Sequence, residues 1–285
     1  MMNAYIRPTS LAEATKVRAA ANAKILCGGT DFYPALGTAQ PEGTIIDLTR
    51  IAELDGITTG PTEIRIGACT SWTKLVTTPL PAAFDALKAA GREVGSIQIQ
   101  NRATIGGNLC NASPAADGVP PLLALEAEVE LVSEQAARRL PLSDFILGNR
   151  RTALKTDEIL TAIIVPQQRV PGTTVSAFLK LGARHYLVIS IAMVAVNLTR
   201  GDDGNIAVAK IAVGACSAVA QRLAGLESDL LGKPAQAGLG LYAEVRHLSA
   251  LSPIDDVRAT GTYRRDAALS LVRRALETCV TGADA

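Results

Sequence analysis

Histidine is scarce in this 285-residue chain, which has two (His185 and His247), and no two of its five cysteines have Cys-x-x-Cys spacing. The cysteines stand at positions 27, 69, 110, 216 and 279, an odd count. That pattern leaves no ligand set for a structural zinc or a self-contained iron–sulfur cluster, and the thiols read as small buried hydrophobes. Charge of one sign is also missing: 28 basic against 27 acidic residues give a formal net charge of +1. With no basic stripe and no interleaved aromatics, nothing marks a nucleic-acid partner. The longest apolar run, residues 186–196, is interrupted by Ser190. It reaches about half of the ~20 residues that a membrane-spanning helix needs. The opening MMNAYIRPTS lacks the basic and apolar regions of a signal peptide, so a cytoplasmic location is the expectation. No catalytic triad, internal repeat or low-complexity tract is visible, and any redox centre would have to be organic and borrowed.

What is present suits a globular protein with a large core: 48% hydrophobic and 19% charged residues, enough for one large domain or two ordinary ones. Ser10 and Glu13 have capping-box spacing and predict a helix over residues 11–21. KILC (24–27), TIIDL (44–48), EIRIG (63–67), EVELV (128–132) and EILTAIIV (158–165) read as short strands, with helices over 72–77 and 82–95. This order indicates α+β rather than a repeating βαβ array. Near Pro166 the stretch QQRVPGTT reads as a linker. Two β-like runs then bracket the turn RGDDGN and predict a hairpin. Leu269, Val272, Leu276 and Val280 recur at helical steps within a final helix over residues 263–280, a core stripe with no functional weight.

Two glycine pairs carry the chemistry. Cys27, Gly28, Gly29, Thr30 and Asp31 follow a strand, and Thr104, Ile105, Gly106, Gly107 and Asn108 form a second such segment. Glycine frees backbone N–H groups to face an anion, because no Cβ blocks approach or forbids positive φ. Neither segment matches the P-loop or Rossmann signature. Together the two predict a clasp on a diphosphate, with Thr30, Thr104 and Asn108 as side-chain donors. Asp117 has two readings: the N-cap of an apolar helix over residues 119–125 with Pro120 in its first turn, or an acceptor for sugar-like hydroxyls beside the diphosphate.

The pairing of CGGTD with RATIGGNLCNASPAAD resembles the FAD-binding medium subunits of the molybdenum hydroxylases, the group of xanthine dehydrogenase and carbon monoxide dehydrogenase flavoproteins. The likeness runs through YIRPTSLAEA, IIDLTRIAELDGI, IRIGACTSW, SDFILGNRRTAL, DEILTAIIVP, FLKLGARHYLVISIAMVAV and ATGTYRRDAALSLVRRAL, nearly the whole chain. It implies an α+β fold: a two-lobed FAD-binding domain of the vanillyl-alcohol-oxidase/PCMH type over residues 1–172, with lobes about 1–57 and 58–172. A smaller α+β C-terminal domain over 173–285 follows. The resemblance further implies that residues 27–31 and 104–108 hold the FAD pyrophosphate and that Asp117 meets the ribityl chain or a nearby hydroxyl. By the same likeness Ile159 and Leu160 meet the adenine end through backbone, and Lys180 approaches the isoalloxazine with His185 or Tyr186 near the ring face. Read as bare residues, Lys180 is equally a strand-edge charge, His185 a surface imidazole and Tyr186 half-buried packing.

One departure concerns Asp31. Some relatives carry Gln-Ser or His-Ser where this chain has Thr30 and Asp31, and a carboxylate there repels a diphosphate unless it turns away or caps a helix. The implied function is electron transfer with no catalytic acid or base and no metal in this chain. A partner large subunit would carry the molybdenum–pterin cofactor and a small one two [2Fe–2S] clusters, as a dimer of heterotrimers. Arg102 and Lys180 are then the candidate positive neighbours of a reduced flavin. The alternative is a stand-alone flavin oxidase or reductase of the same fold.

Overall fold

The computed structural model describes residues 4–21, 23–167 and 170–282. Three larger sheets succeed one another along the described residues, with a two-stranded one besides. The first is parallel, in the order β1-β3-β2, and is built from β1 (Ala4–Ile6), β2 (Lys24–Leu26) and β3 (Thr44–Asp47). Helix α1 (Leu11–Ala20) crosses between β1 and β2. Its start is fixed because the Ser10 hydroxyl accepts from the Glu13 amide while the Thr9 amide donates to Glu13 Oε2. A short helix, α2 (Phe32–Leu36), leads from the first glycine segment toward β3. Strand β3 stops one residue before the expected TIIDL limit, because Asp47 Oδ1 accepts from the Thr49 amide at 2.9 Å and turns the chain into a 3₁₀ turn, Leu48–Arg50.

The second sheet is antiparallel throughout, in the order β4-β5-β10-β6-β7. Its outer members are β4 (Ile57–Thr59) and β5 (Glu63–Gly67) on one side, β6 (Glu128–Val132) and β7 (Ala137–Pro141) on the other. Between β5 and β6 come α3 (Trp72–Thr77), α4 (Asp85–Glu93), α5 (Ile97–Arg102), α6 (Ile105–Asn111) and α7 (Val119–Ala124). The helix expected over residues 82–95 divides into a 3₁₀ turn, Ala82–Phe84, and the shorter α4. After β7 follow α8 (Leu142–Phe145), the small hairpin β8 (Ile146–Gly148) and β9 (Arg151–Thr152), and the central strand β10 (Ile159–Pro166). Residues 159–165 of β10 are all buried, which is why this strand reads as a nearly continuous apolar run, interrupted by Thr161, instead of alternating. Trp72, Leu75, Leu109, Leu122 and Phe145 fill the core against this sheet.

The third sheet is an antiparallel meander of β11 (Thr173–Leu181), β12 (Ala192–Arg200), β13 (Ile206–Gly214) and β14 (Gln221–Arg222), followed by α9 (Ala224–Leu230) and α10 (Gly261–Thr281). The expected hairpin is β12–β13, and Gly204 supplies the left-handed turn residue at φ +81°. Strand β12 is buried on both faces. Val194, Val196 and Leu198 point to α10, where Val272, Ala275 and Leu276 pack on them. Met193 and Ala195 point the other way, onto Ala86 and Ala90 of α4 and Ala124 of α7. Two-sided burial joins the third sheet to the helices of the second. Gln168 and Arg169, part of the expected linker, lie outside the described residues. The fold is α+β.

Candidate functional site

Where β2 ends, the chain turns sharply through residues 27–31 into α2. Gly29 adopts φ +76°, and Gly28 passes so close to the end of α5 that a Cβ there would stand 2.1 Å from the Arg102 carbonyl oxygen. Only glycine fits that contact, so the first segment is pressed against the residues leading into the second. Among the described residues, the amides of Gly28, Gly29, Thr30 and Asp31 have no protein acceptor. Asp31 is exposed and sits at the N-cap position of α2, and its side chain makes no capping hydrogen bond.

The second segment is built differently. It is not a loop: Thr104 caps α6, its hydroxyl accepting from the Gly107 amide at 3.1 Å, and residues 105–108 form the first turn. The Ile105 amide donates to Thr70 O at 3.0 Å, Gly106 to Ala68 O at 2.9 Å, and Asn108 to Thr104 O at 3.0 Å. Those amides are therefore engaged inside the protein. Gly106 is required for closeness, since a Cβ there would lie 2.6 Å from the Ala68 carbonyl. Open backbone donors thus come from the first segment. The second supplies bare Cα surface and side chains, including a buried Asn108 Oδ1 with no partner.

Between the two segments lies a cavity of about 640 Å³. Cys27, Gly28, Gly29, Thr30 and Asp31 form one wall, and Thr104, Gly106, Gly107 and Asn108 another. Ile159 and Leu160, entering β10, contribute to the lining, whereas Ile105 is fully buried behind it. Sequence reasoning missed Arg18, from the last turn of α1, which also lines the cavity. Its guanidinium donates to Ala23 O, its Nε is buried without a partner, and burial lowers its pKa. A cation in the last helical turn before the strand that opens into Gly-Gly was the available signal. Also missed was Cys69, which stands 42 residues from Cys27 yet places its sulfur 2.7 Å away.

Asp117, Lys180 and Tyr186 do not line this cavity. The N-cap position of α7 is Gly118, without a side-chain cap, so the capping reading of Asp117 fails. Its carboxylate accepts instead from Lys180 Nζ at 2.8 Å and Ser190 Oγ at 2.7 Å, both donors coming from the third sheet or its loops. Burial raises the Asp117 pKa, opposed by the Lys180 charge and hydrogen bond. Lys180 and His185, with Glu93 and Arg184, line a second cavity of about 540 Å³. Glu93 and its neighbour Val94 line one cavity each, so the two flank the C-terminal end of α4. Tyr186 is 51% exposed and lines neither. Arg102 presents its carbonyl, not its exposed guanidinium, to the first segment. Among the described residues no group of three or more His, Cys, Asp or Glu is placed to hold a metal ion, and no helix is long and apolar enough to cross a membrane.

Residues 1–168 match the family model of the FAD binding domain in molybdopterin dehydrogenase, and residues 177–279 that of the CO dehydrogenase flavoprotein C-terminal domain. The chain is 30% identical over 283 residues to a putative xanthine dehydrogenase FAD-binding subunit of Escherichia coli K12, covering 98% of this chain and 96% of that one. It is 38% identical over 172 residues to the nicotinate dehydrogenase FAD-subunit of Eubacterium barkeri, covering 59% of this chain and 57% of the relative. A solved structure of reconstituted CO dehydrogenase from Oligotropha carboxidovorans superposes with a TM-score of 0.89 at 29% identity, covering 99% of each chain.

Proposed function

This chain belongs to the FAD-binding family of molybdopterin dehydrogenases, and on that premise we propose that it is the electron-transfer subunit of a molybdenum hydroxylase complex. The observation that carries the reading is the single cavity walled by both glycine segments, with Gly28 against the Arg102 carbonyl. Its donors suit FAD. Unpartnered amides of Gly28, Gly29, Thr30 and Asp31 suit a pyrophosphate, with Arg18 as a nearby cation, and the orphaned Asn108 Oδ1, an acceptor, suits a ligand hydroxyl. Ile159 and Leu160 line the same cavity and offer backbone contact to the adenine end. Lys180 and His185, which line the second cavity, take the flavin side with Tyr186 beside them in sequence, and the Asp117 carboxylate fixes the Lys180 ammonium there.

When bound, FAD supplies the capacity to accept two electrons singly and release them to an external acceptor. The chain's own part is to position that group and to set the charge around it. Gly28 and Gly106 keep the two walls close. Ser190 fixes one Asp117 oxygen, so that the other points at Lys180. We assign residues 1–172 to flavin binding and 173–285 to the C-terminal domain, with β11 opening at Thr173. The partners are a large subunit with the molybdenum–pterin cofactor and a small one with two [2Fe–2S] clusters, in a cytoplasmic dimer of heterotrimers.

The test is to purify the native complex, analyse its metals and flavin, and follow the flavin absorbance under anaerobic conditions as an organic substrate is added. Bleaching in the complex but not in the isolated, FAD-containing chain is the expected result. Substrate oxidation by the isolated chain would favour a stand-alone oxidase, and a chain that never retains FAD would overturn the reading.

A further inference from the structure

Three cysteines line the large cavity, and two of them form a pair. Cys27 and Cys69 are free and half-buried, with sulfurs 2.7 Å apart. A disulfide bond is about 2.05 Å long, so bonding needs only a small approach of the two sulfurs. Cys27 begins the first glycine segment, and Cys69 follows β5, its amide held by Leu54 O at 2.8 Å. The pair therefore joins the wall of the first sheet to that of the second across 42 residues of chain.

We propose that Cys27 and Cys69 are a redox modification site, forming a reversible intramolecular disulfide when a hydroperoxide enters the cavity, with Cys27 attacking the peroxide first and Cys69 resolving. The pair is chemically unequal. The hydrogen bond with Cys69 lowers the Cys27 pKa, and the Thr104 hydroxyl adds to this against the opposing effect of burial. Cys69 is pushed far up by the same hydrogen bond and by burial, so it keeps its proton. A thiol that ionises more readily, beside one that holds its proton, is the arrangement of a peroxide-sensing cysteine with its resolving partner. Plain packing of two small hydrophobes does not require both to line the cavity.

The Cys27 thiolate attacks the terminal peroxide oxygen. The O–O bond breaks, the alcohol or water leaves with a proton, and Cys27 becomes a sulfenic acid. The Cys69 sulfur then displaces the sulfenic oxygen as water. Two thiols and one hydroperoxide thus give one disulfide, one alcohol or water, and one further water, the two electrons passing from sulfur to the peroxide oxygens. A cysteine pair in a reducing compartment cycles in this way more readily than it serves as a permanent staple. The consequence for the cavity rests on the flavin reading. Oxidation ties the wall that faces the pyrophosphate to the turn after β5. Oxidised protein therefore releases FAD more slowly, because cross-linked walls open less readily.

The experiment treats the reduced full-length chain with hydrogen peroxide, maps disulfides in a non-reducing digest by mass spectrometry, and measures FAD release before and after dithiothreitol. A Cys27–Cys69 linked peptide that dithiothreitol removes is expected. Dimedone should trap a sulfenic acid on Cys27 in Cys69→Ser. If that variant fails to fold, a brief peroxide pulse on wild-type protein with dimedone present reads the same sulfur. A Cys27–Cys110 or intermolecular linkage, no linkage, or dimedone on Cys69 would overturn the proposal. An unchanged or faster FAD release from fully oxidised protein would overturn the link to flavin. A disulfide in a chain that binds no FAD would refute the flavin reading alone, and FAD retention without the disulfide would refute this inference alone.

Discussion

At Gly28 a single methyl decides whether the two walls can meet. A Cβ would stand 2.1 Å from a backbone carbonyl, which no side-chain rotation relieves. We expect Gly28→Ala to weaken FAD binding at least ~10-fold, or about 1.4 kcal/mol, because the walls must separate; a flavin fluorescence titration checks this. Asp117 illustrates a second residue-level rule. Its charge is buried and tolerable because Lys180 and Ser190 satisfy it. Lys180→Met leaves the carboxylate without its cation and is expected to lose about 3 kcal/mol at neutral pH, with most of that recovered in Asp117→Asn/Lys180→Met. The sign with pH follows from the raised pKa. A buried acid with a raised folded pKa binds more protons when folded, so its penalty is absent below the unfolded value near 3.9, builds as pH rises from there to the folded value, and is complete above it. Denaturant titrations of Lys180→Met should show the deficit shrinking on acidification, and a deficit independent of pH would refute the assignment.

At the scale of elements, α6 and α10 depend on what happens at their N-termini. Helix α6 has seven residues, too few to stand alone, and its Thr104 cap holds the Gly107 amide beside the cavity. Thr104→Ala should cost about 1 kcal/mol, with Thr104→Ser restoring most of it, read by thermal unfolding. The approach to α10 is gathered by Asp256, which accepts from the Arg258 and Ala259 amides and from Arg264 Nη2 at 2.7 Å. These contacts, the Arg258 amide foremost, hold its pKa down at about 2. A depressed acid contributes stability above its unfolded pKa that disappears as pH falls toward the folded value. Asp256→Asn should therefore flatten the acid-unfolding curve between about pH 4 and 2. An unaltered acid limb would show that Asp256 does not anchor the helix.

For the whole molecule, flavin binding and folding are linked through the packing of the third sheet on α4 and α7. Met193, Phe178 and Ala195 lie on Ala86, Ala90 and Ala124, and the Asp117–Lys180 pair spans the same junction. A ligand bound only by the folded state at a hundred times its Kd adds about 2.7 kcal/mol. Saturating FAD should accordingly raise the melting temperature by roughly 5–10 °C in one cooperative transition. Separate transitions for the flavin-binding part and the third sheet, with only one shifted by FAD, would show that the junction does not couple them.

The sequence by itself determined the elements whose periodicity is local. Glu63–Gly67, Trp72–Thr77 and Glu128–Val132 fall where alternation and capping place them, and the hairpin turn follows from its Asp-Asp-Gly-Asn residues. It also marked both glycine segments, since strand-then-Gly-Gly is legible in one dimension. What it left open were contacts between residues distant in the chain. TIGGN reads as a loop, yet Thr70 and Ala68 hold it as a helical turn. Asp117 meets partners 63 and 73 residues away, and Cys27 meets Cys69. Only tertiary structure decided these, because the free energy of a buried charge or a shared proton depends on what the fold brings alongside it.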